Sequence, residues 1–230
     1  MLEVVYEDNH ILVVIKPQNI PTQSDITGDT CMVDMVEKYL REKYDKKGNV
    51  YVGLVHRLDR PTGGLMIFAK TSKAAARLSE SIATKDFEKS YLAVVNGEVK
   101  EASGTLKNYL KKNARTNTVA VVPELTTGAK YAELNYKVLD KKDKVTLVKV
   151  NLVTGRSHQI RVQFKHIGNP VYGDVRYGGD TLAKGHNLAL WAYKIKFQHP
   201  TTKKVMTFVS VPPTDAVPWK VFDVDKYATI

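Results

Sequence analysis

The chain reads as an α+β fold with a mainly antiparallel sheet. Two observations predict it: short apolar and β-branched runs recur in pairs across turn signals, and only three or four stretches carry a helical period. A third sets the scale. The 230 residues contain no linker, repeat or low-complexity tract, so one domain over residues 1–230 is expected.

Val4-Val5-Tyr6 and the run Ile11 to Ile15 flank a Glu-Asp-Asn turn and predict an opening hairpin. Lys16-Pro17-Gln18-Asn19-Ile20-Pro21 follows as an extended loop, because neither proline supports a helix or a ladder. Thr30 is placed to cap a helix with Met32, Val33, Val36, Tyr39 and Leu40 on one face, ending near Asp45 to Asn49. Val50 to Val55 predicts a strand and Leu65 to Ala69 another, with Pro61-Thr62-Gly63-Gly64 turning between them. Thr71 or Ser72 starts a second helix through Ala75, Leu78 and Ile82.

From Phe87 onward the pattern is of strands. Tyr91 to Val95 stops at Asn96-Gly97, a strong turn dipeptide. Thr105 to Leu110 and Thr118 to Val122 flank a basic loop, Lys111-Lys112-Asn113-Ala114-Arg115. Lys130 to Leu139 and Val145 to Val153 pair across Asp140 to Lys144, and Leu188 to Phe197 pairs with Val205 to Val211 around His199-Pro200. Between these hairpins Ser157 is placed to cap a helix of about three turns that Gly168 ends. Its buried stripe is Ile160, Phe164 and Ile167, while His158, Arg161 and Lys165 share another face. Trp219, Val221 and Phe222 dock a closing segment on the sheet.

Charge narrows the function classes. Thirty-five Lys and Arg against 24 Asp and Glu leave a net charge of +11. That excess favours a polyanionic partner, nucleic acid first and an anionic membrane surface second. The lone Cys31 excludes an internal disulfide and a cysteine-based zinc cluster, and the six histidines show no zinc-helix spacing, so no metal is indicated. Glu7 and Asp8 near the start are unlike a signal peptide, and no apolar run approaches membrane-spanning length. A cytoplasmic monomer without cofactor is expected.

The chemistry concentrates in His56-Arg57-Leu58-Asp59-Arg60-Pro61-Thr62-Gly63-Gly64-Leu65. Asp59 sits at a strand end between two guanidiniums, where a carboxylate stays ionised and serves as nucleophile or base. On spacing alone the same residues read as a charged loop with a surface ion pair. Likewise the Arg161 helix reads as a solvated basic face, and Tyr91 as a half-buried strand aromatic.

The decapeptide resembles the HRLD-x-x-T-S-G-L signature of the RluA-type RNA pseudouridine synthases, departing only at Gly63, where the family has Ser. Gly155-Arg156-Ser157-His158-Gln159-Ile160-Arg161-Val162 is similar to the family's G-R-[ST]-H-Q-[IL]-R-V, and Lys89 to Gly97 to its K-x-Y-x-A-x-V-x-G strand. Lys16-Pro17 fits K-P-x-G with Asn19 for Gly, a residue that tolerates the left-handed conformation. Gly168 to Gly178 matches G-x-P-I-x-G-D-x-x-Y-G, and Leu188 to Ala192 resembles L-x-L-H-A with Trp191 in place of His. The matches run from about Val5 to Val211, in order, and the S4-type RNA-binding domain that many relatives carry at the N-terminus is not expected.

The resemblance implies the family's fold, a long mixed but mainly antiparallel sheet with flanking helices and a central cleft. It also implies the reaction: isomerisation of chosen uridines in ribosomal or transfer RNA to pseudouridine, without cofactor. It assigns Asp59 as the catalytic residue, Arg161 as its ion-pair partner and Tyr91 as the ring against the uracil. Arg57 is expected at a phosphate or in the space the base leaves, and Ile160 in the pocket wall. The motif neighbours His56, Leu58, Arg60, His158, Gln159 and Lys16 are expected at the substrate. Two rivals use the same residues differently: a non-catalytic RNA-binding or ribosome-assembly protein, and a hydrolytic N-glycosidase.

Overall fold

The computed structural model describes residues 2–178 and 185–228. They fall into two compact units, Met1–Lys89 with Ala192–Ser210, and Ser90–Trp191 with Val211–Ile230.

In the first unit β1 (Glu3–Glu7) and β2 (Ile11–Lys16) form the expected opening hairpin. Asp8 closes its turn by accepting the amides of His10 and Ile11 at 2.7 and 2.9 Å. β2 pairs antiparallel with β4 (Gly63–Ala69), from Ile11 opposite Ala69 to Lys16 opposite Gly64. Every residue of these two strands is buried. That is why both read as unbroken apolar runs and not as alternation. β10 (Leu190–Gln198) starts in the second unit and continues here, flanked by β4 and by β11 (Val205–Val209). The run Val50 to Val55, expected as a strand, contributes only the two residues of β3 (Gly53–Leu54), because Val50 to Val52 find no ladder partner.

α1 (Met32–Lys43) buries Met32, Val36 and Leu40. Its N-cap is Cys31 and not Thr30: the Asp34 carboxylate reaches back to the Cys31 amide at 3.0 Å, so the first free donor is met from inside the helix. α2 (Ser72–Ala83) is capped by Thr71, whose hydroxyl accepts from the Ala74 amide at 3.2 Å. Its buried residues are Ala74 and Leu78, a slightly rotated version of the expected face.

The second unit is a run of antiparallel strands in the order β5 (Glu88–Asn96), β9 (Val145–Leu152), β8 (Lys130–Lys142), β6 (Ser103–Asn113), β7 (Thr118–Val122). The expected basic loop is shorter than its sequence suggests. Lys111 and Lys112 belong to β6, opposite Ala120 and Val119, so the charges line the end of a two-stranded arm. α3 (Gln159–His166) packs on β6 and β7. It is eight residues long, and its N-cap is His158 in the left-handed conformation, φ +52°. The helix is buried from Gln159 through Phe164, while Ile167 is exposed, so the expected stripe is wrong at its last member; of the expected basic face Arg161 is buried and Lys165 is exposed. A 3-10 turn, Trp219–Val221, and α4 (Val224–Ala228) close the chain, with Trp219 and Phe222 buried.

Candidate active site

The loop that carries Asp59 is built in the first unit from below. Leu58 is buried, and its backbone is gripped at both polar atoms by one side chain: Thr22 Oγ1 donates to the Leu58 carbonyl at 2.8 Å and accepts its amide at 3.3 Å. The Thr62 amide donates to the Asp59 carbonyl at 2.9 Å, which places the tight turn at Asp59 to Thr62, two residues before the expected one. Gly63 and Gly64 already belong to β4. At Gly64, φ is +114° and a Cβ would lie 2.4 Å from the Ala192 carbonyl oxygen. Only glycine lets the β10 backbone come this close.

Lys16, expected at the substrate, is instead wholly buried. Its ammonium donates to the carbonyls of Pro17 and Arg60, each at 2.9 Å, and so ties the end of β2 to the residue after Asp59. Burial pushes its pKa down to about 7; the Asp59 charge opposes that shift and the Arg60 charge adds to it. Asn19 takes φ +66°, the left-handed turn that the glycine of the family pattern allows, and its carbonyl accepts Arg60 Nε at 3.1 Å. Arg60 also pairs with Asp29 and lies 3.7 Å from Asp25. Its guanidinium is therefore engaged within the protein while staying partly exposed. Arg57 is exposed, with Gln23 Oε1 at 3.5 Å.

His56 is likewise structural. Its Nε2 accepts the Ile67 amide at 3.1 Å, its ring lies 5.8 Å from that of Phe87, and Nδ1 is buried without a partner. Burial, with the Lys89 charge behind it, pushes the imidazole down to about 3, so it is neutral with its proton on Nδ1.

In the second unit Tyr91 lies buried in β5, opposite Val150 of β9. Ile160 is buried on α3. Gln159, expected at the substrate, is turned inward as a local staple. Its Oε1 accepts from Thr154 Oγ1 at 2.8 Å and from the Arg156 amide at 2.9 Å, and its Nε2 donates to the Glu133 carbonyl at 3.0 Å. Arg161 is buried in a two-point ion pair, Nε to Asp174 Oδ2 at 2.7 Å and Nη2 to Asp174 Oδ1 at 2.8 Å. Asp174 Oδ1 also accepts the amides of Arg176 and Tyr177, both at 3.1 Å. The Tyr177 ring lies 5.0 Å from the Arg161 guanidinium carbon. Its hydroxyl accepts the Val119 amide at 2.8 Å and sits 2.7 Å from His158 Nδ1. Burial pushes the Tyr177 phenol up, which keeps it a neutral donor.

The structure thus gathers Lys16 and the residues 56–60 in one unit, and Tyr91 with the residues 158–161 in the other. Thr22, Asp174 and Tyr177 were not singled out from the sequence. Thr22 carries no pattern to find it by, whereas Asp174 and Tyr177 are the polar members of the G-D-x-x-Y-G loop. Among the described residues no three His, Cys, Asp or Glu side chains gather as a metal site, and no helix is long and apolar enough to cross a membrane.

Comparison with known proteins bears on the family and the fold. The RNA pseudouridylate synthase family profile matches residues 10–166. The uncharacterized RNA pseudouridine synthase YlyB of Bacillus subtilis is 33% identical over 220 residues, covering 93% of this chain and 70% of its own. Ribosomal large subunit pseudouridine synthase C of Vibrio vulnificus is 34% identical over 209 residues, 88% of this chain and 63% of its own. Among solved structures, human RNA pseudouridylate synthase domain containing 1 superposes with a TM-score of 0.71 at 25% identity, covering 93% of this chain and 84% of that one. Human RNA pseudouridylate synthase domain containing 4 shares the fold, with a TM-score of 0.76 at 21% identity over 92% of this chain and 88% of that one. The α+β fold is that of these synthases, and the chain belongs to the RNA pseudouridylate synthase family, the isomerases that turn uridine in RNA into pseudouridine.

Proposed function

We propose that this chain modifies selected uridines of large-subunit ribosomal RNA, with Asp59 as its catalytic carboxylate. The target is suggested by relatives named for that RNA, such as the Vibrio vulnificus enzyme. The reaction breaks the N-glycosidic bond, turns the uracil, rejoins it through carbon 5 and removes the proton from that carbon. It needs the uridine out of its stack, in a place that excludes water and retains the freed base. Asp59 starts it, by attack on the ribose or the base or by taking a sugar proton to give a glycal. Arg161 serves as the charged partner of the catalytic carboxylate, Tyr91 packs on the uracil, Ile160 walls the pocket and Arg57 meets a phosphate or fills the place of the base. The enzyme acts as a cytoplasmic monomer without metal or cofactor.

The observation that carries this reading is the loop around Asp59. Thr22, Lys16 and the Asp59–Thr62 turn clamp it from three sides, as a catalytic carboxylate on a rigid support requires. The test is pseudouridine formation by purified wild type and Asp59→Asn on large-subunit ribosomal and transfer RNA transcripts, with binding followed in parallel. Wild type should modify the ribosomal transcript, and Asp59→Asn should bind it and form no product, since the amide keeps the shape and loses the nucleophilic oxygen. Turnover by Asp59→Asn would sink the catalytic assignment; modification of transfer RNA alone would sink the target.

A further inference from the structure

We propose that Asp174 is a positioning residue for the isomerisation: its two carboxylate oxygens set the plane of the Arg161 guanidinium. The inference rests on the role proposed above for Arg161. An arginine side chain swings about several single bonds, and one contact to a carboxylate leaves the guanidinium free to rotate about it. Two parallel hydrogen bonds, at 2.7 and 2.8 Å, remove that freedom.

The carboxylate is itself fixed. Oδ1 accepts the Arg176 and Tyr177 amides, so Asp174 is held by its own turn while it holds Arg161. Tyr177 adds a wall, with its ring 5.0 Å from the guanidinium carbon. The wall is anchored in turn by the Val119 amide and by His158 Nδ1. His158, which the sequence places at the substrate, thus also belongs to the frame around Arg161. The members of this chain of contacts lie on three segments: α3 with its N-cap, the turn from Asp174 to Tyr177, and β7. A guanidinium that needed only to be neutralised has no use for a frame of this kind. One that must present its remaining edge in a fixed direction does.

The rival explanation is a staple that holds the turn to α3 and has no part in turnover. The two differ in a double-mutant cycle. Pseudouridine formation and RNA binding are measured for Arg161→Met, Asp174→Asn and the double variant, with thermal melting to count folded enzyme. Asp174→Asn should lower kcat by about 10- to 100-fold while KM stays within about twofold, the scale of a misaimed catalytic group. In the Arg161→Met background the same change should cost less than about twofold, because nothing is left to aim. Equal losses of kcat in both backgrounds, or wild-type turnover by Asp174→Asn, would overturn the role of Asp174 while an impaired Arg161→Met leaves Arg161 in place. Wild-type turnover by Arg161→Met would remove the role of Arg161, and this inference with it. Should a single variant fail to fold, Arg161→Lys carries the test, since lysine keeps the charge and cannot take the two-point grip. A kcat near wild type in that variant overturns the proposal, and a loss of the same order as above supports it.

Discussion

Lys16 is carried out of water on folding, and its displaced pKa fixes the pH range in which that matters. Below about pH 7 the amine is protonated in the folded and the unfolded chain alike. Between about 7 and its ordinary 10.5 the unfolded chain holds a proton that the folded one has given up. Stability therefore rises with pH across that window, and falls as pH drops back to 7. Lys16→Met has no such group. The difference in unfolding free energy between wild type and Lys16→Met should shift in favour of wild type from pH 7 to 10, at a slope approaching about 1 kcal/mol per pH unit. Urea denaturation at four pH values measures it, and parallel curves would show that Lys16 does not titrate there. Arg60 illustrates the same scale from the other side. Flanking Asp59 in sequence does not disclose that Asp25, Asp29 and the Asn19 carbonyl engage it within the protein.

Among the elements, β4 is the least tolerant of change. It is buried along its whole length, pairs with β2, and at Gly64 admits the β10 backbone against its own. Gly64→Ala combines a positive φ with a Cβ 2.4 Å from a carbonyl oxygen. It should cost about 3 kcal/mol or more, since backbone strain and the displacement of a strand add. Gly48→Ala is the control, with nothing within 4 Å of the new methyl and an ordinary φ, and should change stability by about 0.5 kcal/mol at most. Thermal melts of the two variants compare them directly, and equal melting temperatures would mean that β10 shifts without cost.

For the whole molecule the governing quantity is the +11 net charge. RNA binding should weaken steeply with salt, because each phosphate neutralised releases counterions. The arm formed by β6 and β7 carries exposed Lys111, Lys112 and Arg115 at its end. Replacing all three by Ala should flatten the slope of log K against log salt by about 2, three contacts at roughly 0.7 each. An unchanged slope would take the arm out of the footprint.

What was legible in the sequence was whatever depends on near neighbours in the chain. Apolar runs across turn residues located the hairpins, the Thr71 cap located α2, and ordered motifs led to the family, because spacing along the chain is itself the signal. The Asn19 turn was legible for the same reason, being a backbone preference of a single residue. What only the tertiary structure decided was which polar groups far apart in the chain meet. Lys16 and Arg60 are 44 positions apart, Thr22 and Leu58 are 36 apart, and Arg161 and Asp174 are 13 apart. No local pattern encodes such meetings. The expected face of α3 failed on this point: helical spacing put Arg161 outward, but a buried carboxylate 2.7 Å away made the inside of the protein the better place for its charge.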